Sequence, residues 1–106
     1  MAKYLVQASY TDSGLEGLMK DGGTARQKAA EEAVQSVGGK LEAFYFSFGE
    51  SDVYSVVDVP DNVTATALAL ASNAGGGAHV RTTVLLTPAE VDQAIKKNVS
   101  YRPPGR

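Results

Sequence analysis

Cysteine is absent from the 106 residues, which removes any disulfide framework, thiol nucleophile or thiolate metal site. A single histidine, His79, leaves one side chain whose unperturbed pKa lies near neutrality. Basic residues are not in surplus: ten Lys and Arg against twelve Asp and Glu give a formal charge of −2. Nothing is left over to neutralise a phosphate backbone, so a dedicated nucleic-acid binder is not expected. No stretch approaches the roughly 18 apolar residues of a membrane span. The apolar run within the first ten residues is also too short for a signal-peptide core. A soluble, cytoplasmic protein without membrane partners is the expectation.

What is present is enough for one domain with a core of its own. The most informative segment is Phe44-Tyr-Phe-Ser-Phe-Gly49-Glu-Ser-Asp52-Val-Tyr-Ser-Val-Val-Asp-Val59, which reads as two strands folded back about a Gly-Glu-Ser-Asp turn. Before it, alternation predicts a strand over residues 3–10. Thr11 to Gly14 then supply turn formers and a helix cap. A short helix is expected over 15–20 and a second over 25–37, capped by Thr24 and ended by Gly38-Gly39. Strands are expected over 40–48 and 52–59, and an alanine-rich helix capped by Asp61 over 62–74. Gly75-Gly76-Gly77 reads as a mobile terminator, and 79–86 as a fourth strand. Thr87-Pro88-Ala89-Glu90 is a capping-box start for a last helix to Lys97. The domain is expected over 1–98, with an extended tail, 99–106, lying across a partner chain. The order β-α-β-β-α-β predicts an α+β, ferredoxin-like fold: four antiparallel strands with the long helices on one face.

Loop length predicts the register of the central hairpin. A loop of two or four residues pairs Phe48 with Val53, Phe46 with Ser55 and Phe44 with Val57. The Phe/Val parity then belongs under the helices with Tyr4, Val6 and Ala8 and with Val80, Thr82, Val84 and Leu86. Leu5, Gln7, Tyr45, Ser47, Tyr54, Val56, Asp58, Arg81 and Leu85 collect on the opposite face, with Asp58 and Arg81 as a candidate ion pair. That face is too apolar for open water. A second copy of the chain, packed sheet against sheet, is expected to cover it, with higher assembly left open.

Each candidate for chemistry has a plainer alternative. His79 is a candidate proton shuttle or axial ligand, or simply a polar residue where a glycine-rich loop meets a strand. The three glycines offer backbone amides to an anion, but they follow a helix rather than open one. Asp52 is a candidate base, or a turn former bonded to nearby backbone. Tyr45, Tyr54 and Tyr10 suit either an aromatic pocket wall or an interface. Arg81 and Arg26 suit a substrate carboxylate or a structural ion pair. A small-molecule site, if present, is expected at the hairpin end, from Tyr45, Ser47, Gly49, Asp52 and Tyr54 with His79 and Arg81. No metal site and no cofactor are expected.

Three blocks, Gly39 to Val53, Val59-Pro-Asp61 and Val80 to Leu85, together resemble the GYD domain family over nearly the whole chain. Gly49 and Asp52 match its turn signature, while Ser51 stands where a tyrosine is usual. The resemblance implies a ferredoxin-like protomer of the dimeric α/β-barrel group and a family of unknown function. Three functions follow as expectations. One is a dimeric protein binding a small apolar or aromatic molecule, or acting as a non-catalytic accessory. The second is a cofactor-independent oxygenase or isomerase acting on an aromatic or polyketide-like substrate, and the third a purely structural assembly subunit.

Overall fold

The computed structural model describes residues 2–106; Met1 lies outside them. The elements run β1 (Ala2–Tyr10), α1 (Asp12–Asp21), α2 (Gly23–Ser36), β2 (Lys40–Phe46), β3 (Val53–Val59), α3 (Asn62–Ala74), β4 (Ala78–Leu85) and α4 (Pro88–Ile95). The strands form one antiparallel sheet in the order β2-β3-β1-β4. This is the expected α+β arrangement with an added C-terminal helix. α2 lies on β2, and α3 lies on β4.

The core forms where helix-facing strand residues meet the two long helices. Tyr4, Val57 and Val59 are buried against Val34 of α2 and Ala65 of α3, with Val6, Leu41 and Leu68 packed around them. Tyr4 is 2 % exposed, yet its hydroxyl donates to Asn62 Oδ1 at 2.6 Å, so burying the phenol leaves no unpaired oxygen. On α2, Ala29 and Ala30 are half-buried but Ala33 is exposed, and Thr82, Val84 and Leu86, expected under the helices, are exposed as well.

The hairpin differs from the expected register. Phe46, not Phe48, stands opposite Val53, with Tyr45 opposite Tyr54 and Phe44 opposite Ser55. The loop therefore spans Ser47 to Asp52, longer than local turn rules suggest, and Phe48 is 82 % exposed. An irregularity between Leu41 and Ala43 then puts Leu41 opposite Val57. Such a bulge resets the alternation. Leu41 reaches the core, while Glu42 turns outward to Lys3.

Cap chemistry also departs in places. Thr11 rather than a later residue caps α1, accepting from Gly14 N at 3.2 Å. Gly22, with φ +88°, separates α1 from α2 and gives α2 no side-chain cap, so Thr24 lies inside the helix. The capping box of Thr87 and Glu90 is formed as expected. Thr11 holds the glycine loop with two hydrogen bonds. Thr11 N donates to Gly77 O at 3.0 Å and Thr11 Oγ1 to Gly76 O at 2.8 Å. Gly76, at φ +78°, takes a backbone shape that other residues resist.

Past β4 the chain leaves the body. α4 packs extensively on no other element, and its Val91 and Ile95 are exposed, as are Val99 and Tyr101 beyond it. The radius of gyration is 16.9 Å, against about 13 Å for a compact chain of this length.

Two glycines of α1 make a matched test. A Cβ at Gly14 would sit 1.8 Å from Gly77 O, whereas one at Gly17 would meet nothing within 4 Å. In urea titrations Gly14→Ala should cost about 1–3 kcal/mol, the range for overpacking. Gly17→Ala should gain up to about 1 kcal/mol through helix propensity. Equal effects would show that α1 does not press on the glycine loop.

Candidate functional site

The uncovered sheet face is ordered in rows, because four antiparallel strands place same-face residues directly opposite one another. Near the hairpin the row runs Tyr45, Tyr54, Gln7, Arg81 across β2, β3, β1 and β4. The next row is mostly apolar: Ala43, Val56, Leu5, then Thr83. Beyond it stand Asp58, Lys3 and Leu85. The expected pair of Asp58 with Arg81 is not formed within the chain. Lys3 Nζ instead bonds Asp58 Oδ2 at 3.2 Å and pairs with Glu42. Hydrogen bonds to Glu42 and then Asp58 hold the Lys3 ammonium pKa above its ordinary value.

Arg81 goes to the hairpin loop. Its guanidinium lies 3.4 Å from Ser51 Oγ, and Gln7 Nε2 lies at the same 3.4 Å from that oxygen. Ser51 is 1 % exposed. Its small hydroxyl fits a closed space where two polar residues of the row converge. Sequence reasoning missed this, because serine in a turn reads as a solvated turn former.

Asp52 makes three hydrogen bonds to the backbone. Its N–H donates to Ala8 O at 2.8 Å, and its carbonyl accepts from Ser47 N at 2.7 Å. Its carboxylate accepts from Tyr10 N at 2.9 Å. The residue therefore stitches the loop to the end of β1. Gly49 lies exposed at the loop tip without a left-handed φ, and a Cβ there would meet only Ser47 Oγ at 3.6 Å. No close backbone approach requires a glycine at this position. His79 is exposed opposite Ser9, one position beyond the polar row on its own strand parity. The structure thus gathers Tyr45, Tyr54 and Arg81 in one row with Gln7, while Ser47, Gly49, Ser51 and Asp52 build the loop beside it.

A second concentration of polar groups lies on the helix side, in a cavity of about 350 Å³ between α1, the start of α2 and the end of α3. Tyr10 and Arg26 both line it. Burial raises the Tyr10 phenol pKa above its ordinary value, the nearby Arg26 guanidinium opposes this, and the Asp52 carboxylate adds to the rise. An apolar hollow of about 280 Å³ under Phe46 and Phe48 adjoins Leu18 and Gly23.

A protein-family model described as the GYD domain matches residues 4–95. No curated protein and no solved structure matches the chain.

The Asp52 stitch sets a measurable expectation. Asp52→Ala strands the Tyr10 N–H and should cost about 1–3 kcal/mol, with faster amide exchange at Tyr10 and Ser47. Asp52→Asn keeps an acceptor oxygen and should cost less. Unchanged exchange at Tyr10 in the alanine variant would mean the carboxylate does not hold the loop.

Proposed function

Since this chain belongs to the GYD domain family, we propose that it works as a homodimer packed sheet against sheet, a dimeric α/β-barrel that binds a small apolar or aromatic molecule or serves as a non-catalytic accessory. The observation that carries this is the surface left bare. The protomer exposes 7489 Å², while a compact monomer of 11.1 kDa exposes about 5,700 Å². The excess of about 1,800 Å² per chain falls in the range of obligate homodimer interfaces. The two long helices pack on one face of the sheet, where Val84 stays exposed, and the other face carries the mostly apolar row with Tyr45 72 % exposed at its margin.

A second copy fits this face better than an unrelated partner. The face carries both charge signs, Lys3 and Arg81 against Glu42 and Asp58, so a two-fold operation can set unlike charges across the contact. The exposed Val91, Ile95, Val99 and Tyr101 on and beyond α4 would reach over the partner and account for part of the excess. Between two such sheets, the ends of the Tyr45–Tyr54–Gln7–Arg81 rows form an aromatic wall with one cation. That combination suits a small aromatic molecule with a polar substituent.

Light scattering at micromolar concentration should give the mass of two chains. Tyr54→Lys, which places a charge in the covered face, should shift the protein to monomer or lower its melting temperature. Removing residues 99–106 should also lower the melting temperature of the dimer. Ligand binding is read separately, by the stabilisation of about RT ln(1 + [L]/Kd) that a site binder brings to a thermal-shift screen of small aromatic compounds. A monomeric mass together with a neutral Tyr54→Lys would defeat the dimer. A dimer stabilised by no compound would favour an assembly role.

A further inference from the structure

Away from the sheet face, the cavity between α1, α2 and α3 holds an arrangement that the fold does not need. Its volume of about 350 Å³ is at the small end of ligand pockets. Glycines and alanines form most of its wall, so space is left where side chains would otherwise fill the helix layer. Gly17 faces open space, with nothing within 4 Å of a Cβ built there. Two opposite charges line the cavity, Arg26 and Asp21. Among the described residues neither forms an ion pair, with the other or with any third group. The Tyr10 hydroxyl sits close enough to Arg26 for the guanidinium to act on its acidity. Leu18 and Ala71 add apolar wall. α2 begins without an acidic residue or a side-chain cap in its first turn, so nothing on that turn competes for Arg26.

We propose that this cavity binds a small zwitterion of the amino-acid kind. Its carboxylate is taken by the Arg26 guanidinium and the Tyr10 hydroxyl, and its ammonium by Asp21. An unpaired cation and an unpaired anion at one small cavity match a ligand with the same two charges in reverse. A guanidinium beside a hydroxyl donor is well suited to a carboxylate. The limited volume favours small side chains over large aromatic ones. The site stands independently of the sheet-face dimer, because none of its residues lies on that face.

The test titrates the full-length protein with each of the twenty common amino acids, read by amide chemical shifts and calorimetry. Glycolate and ethylamine serve as one-charge controls. Saturable binding of small amino acids is expected, with shifts concentrated at Gly14, Gly17 and Ala71. Arg26→Met should weaken it by about tenfold or more, as loss of a charge-assisted contact does. Asp21→Asn should weaken amino acids while leaving glycolate unaffected. Gly17→Leu, a good helix former whose Cβ has room, should fill the cavity and abolish binding while the chain stays folded. Failure of every amino acid to bind the folded protein overturns the proposal, as does binding that survives both Arg26→Met and Gly17→Leu. If amino acids fail but aromatic compounds stabilise the dimer, the sheet-face reading stands and this one falls. If amino acids bind a monomer, the outcome is reversed.

Discussion

The hydrogen bonds that Asp52 makes to β1 set much of what the open face looks like. A six-residue loop has no strong local preference for one hairpin register. The Asp52 N–H, which donates to Ala8 O, and its carboxylate, which accepts from Tyr10 N, fix where β3 begins beside β1. Once Val53 is set against Ala8, Tyr54 must lie beside Gln7 and Val56 beside Leu5. Period-two alternation does the rest. The same stitch draws Ser51 in, where it meets Gln7 and Arg81. One residue, through its backbone N–H and its carboxylate together, thus helps position both the polar row and the buried serine beside it.

The two faces of the sheet are stabilised by different means. On the helix side, small residues allow close approach, as where Gly14 lies against the backbone of Gly77. A compact core of valine, alanine and one hydrogen-bonded tyrosine suffices there. On the other side, β-branched and aromatic residues alternate with charged ones in rows. The Lys3–Glu42–Asp58 cluster ties three strands together at one end. Exposed ion pairs contribute modestly, so its larger effect is to fix which charges stand where.

Much of the architecture was legible in the sequence because its signals are local. Thr87 and Glu90 announced α4, Asp61 announced α3, and the alternation of β1 assigned Tyr4 and Val6 to the core side. The hairpin register was not legible, since its determinants lie on β1, some 42 residues from Asp52. The outward turn of Glu42 toward Lys3 was hidden for the same reason. Of the site, Tyr45, Tyr54 and Arg81 could be placed on one face by parity alone. Ser51 could not, because its burial depends on three strands meeting. Tyr10 and Arg26 were visible as chemistry but not as neighbours, since a cavity walled by glycine leaves no pattern in the sequence.

The order of the strands also bears on how the chain is made. β1 precedes every other strand, yet it ends up in the interior of the sheet between β3 and β4. As the chain emerges during synthesis, β1 can pair with β3 as soon as residue 59 is free. Its other edge stays bare until residues 78–85 follow. Through that interval a strand carrying Tyr4, Leu5 and Val6 presents open amides and carbonyls, the condition in which nascent sheets join wrong neighbours. Pairing partners so far apart in sequence also slow folding. The yield of correctly folded chain should therefore depend on how quickly the last third is translated.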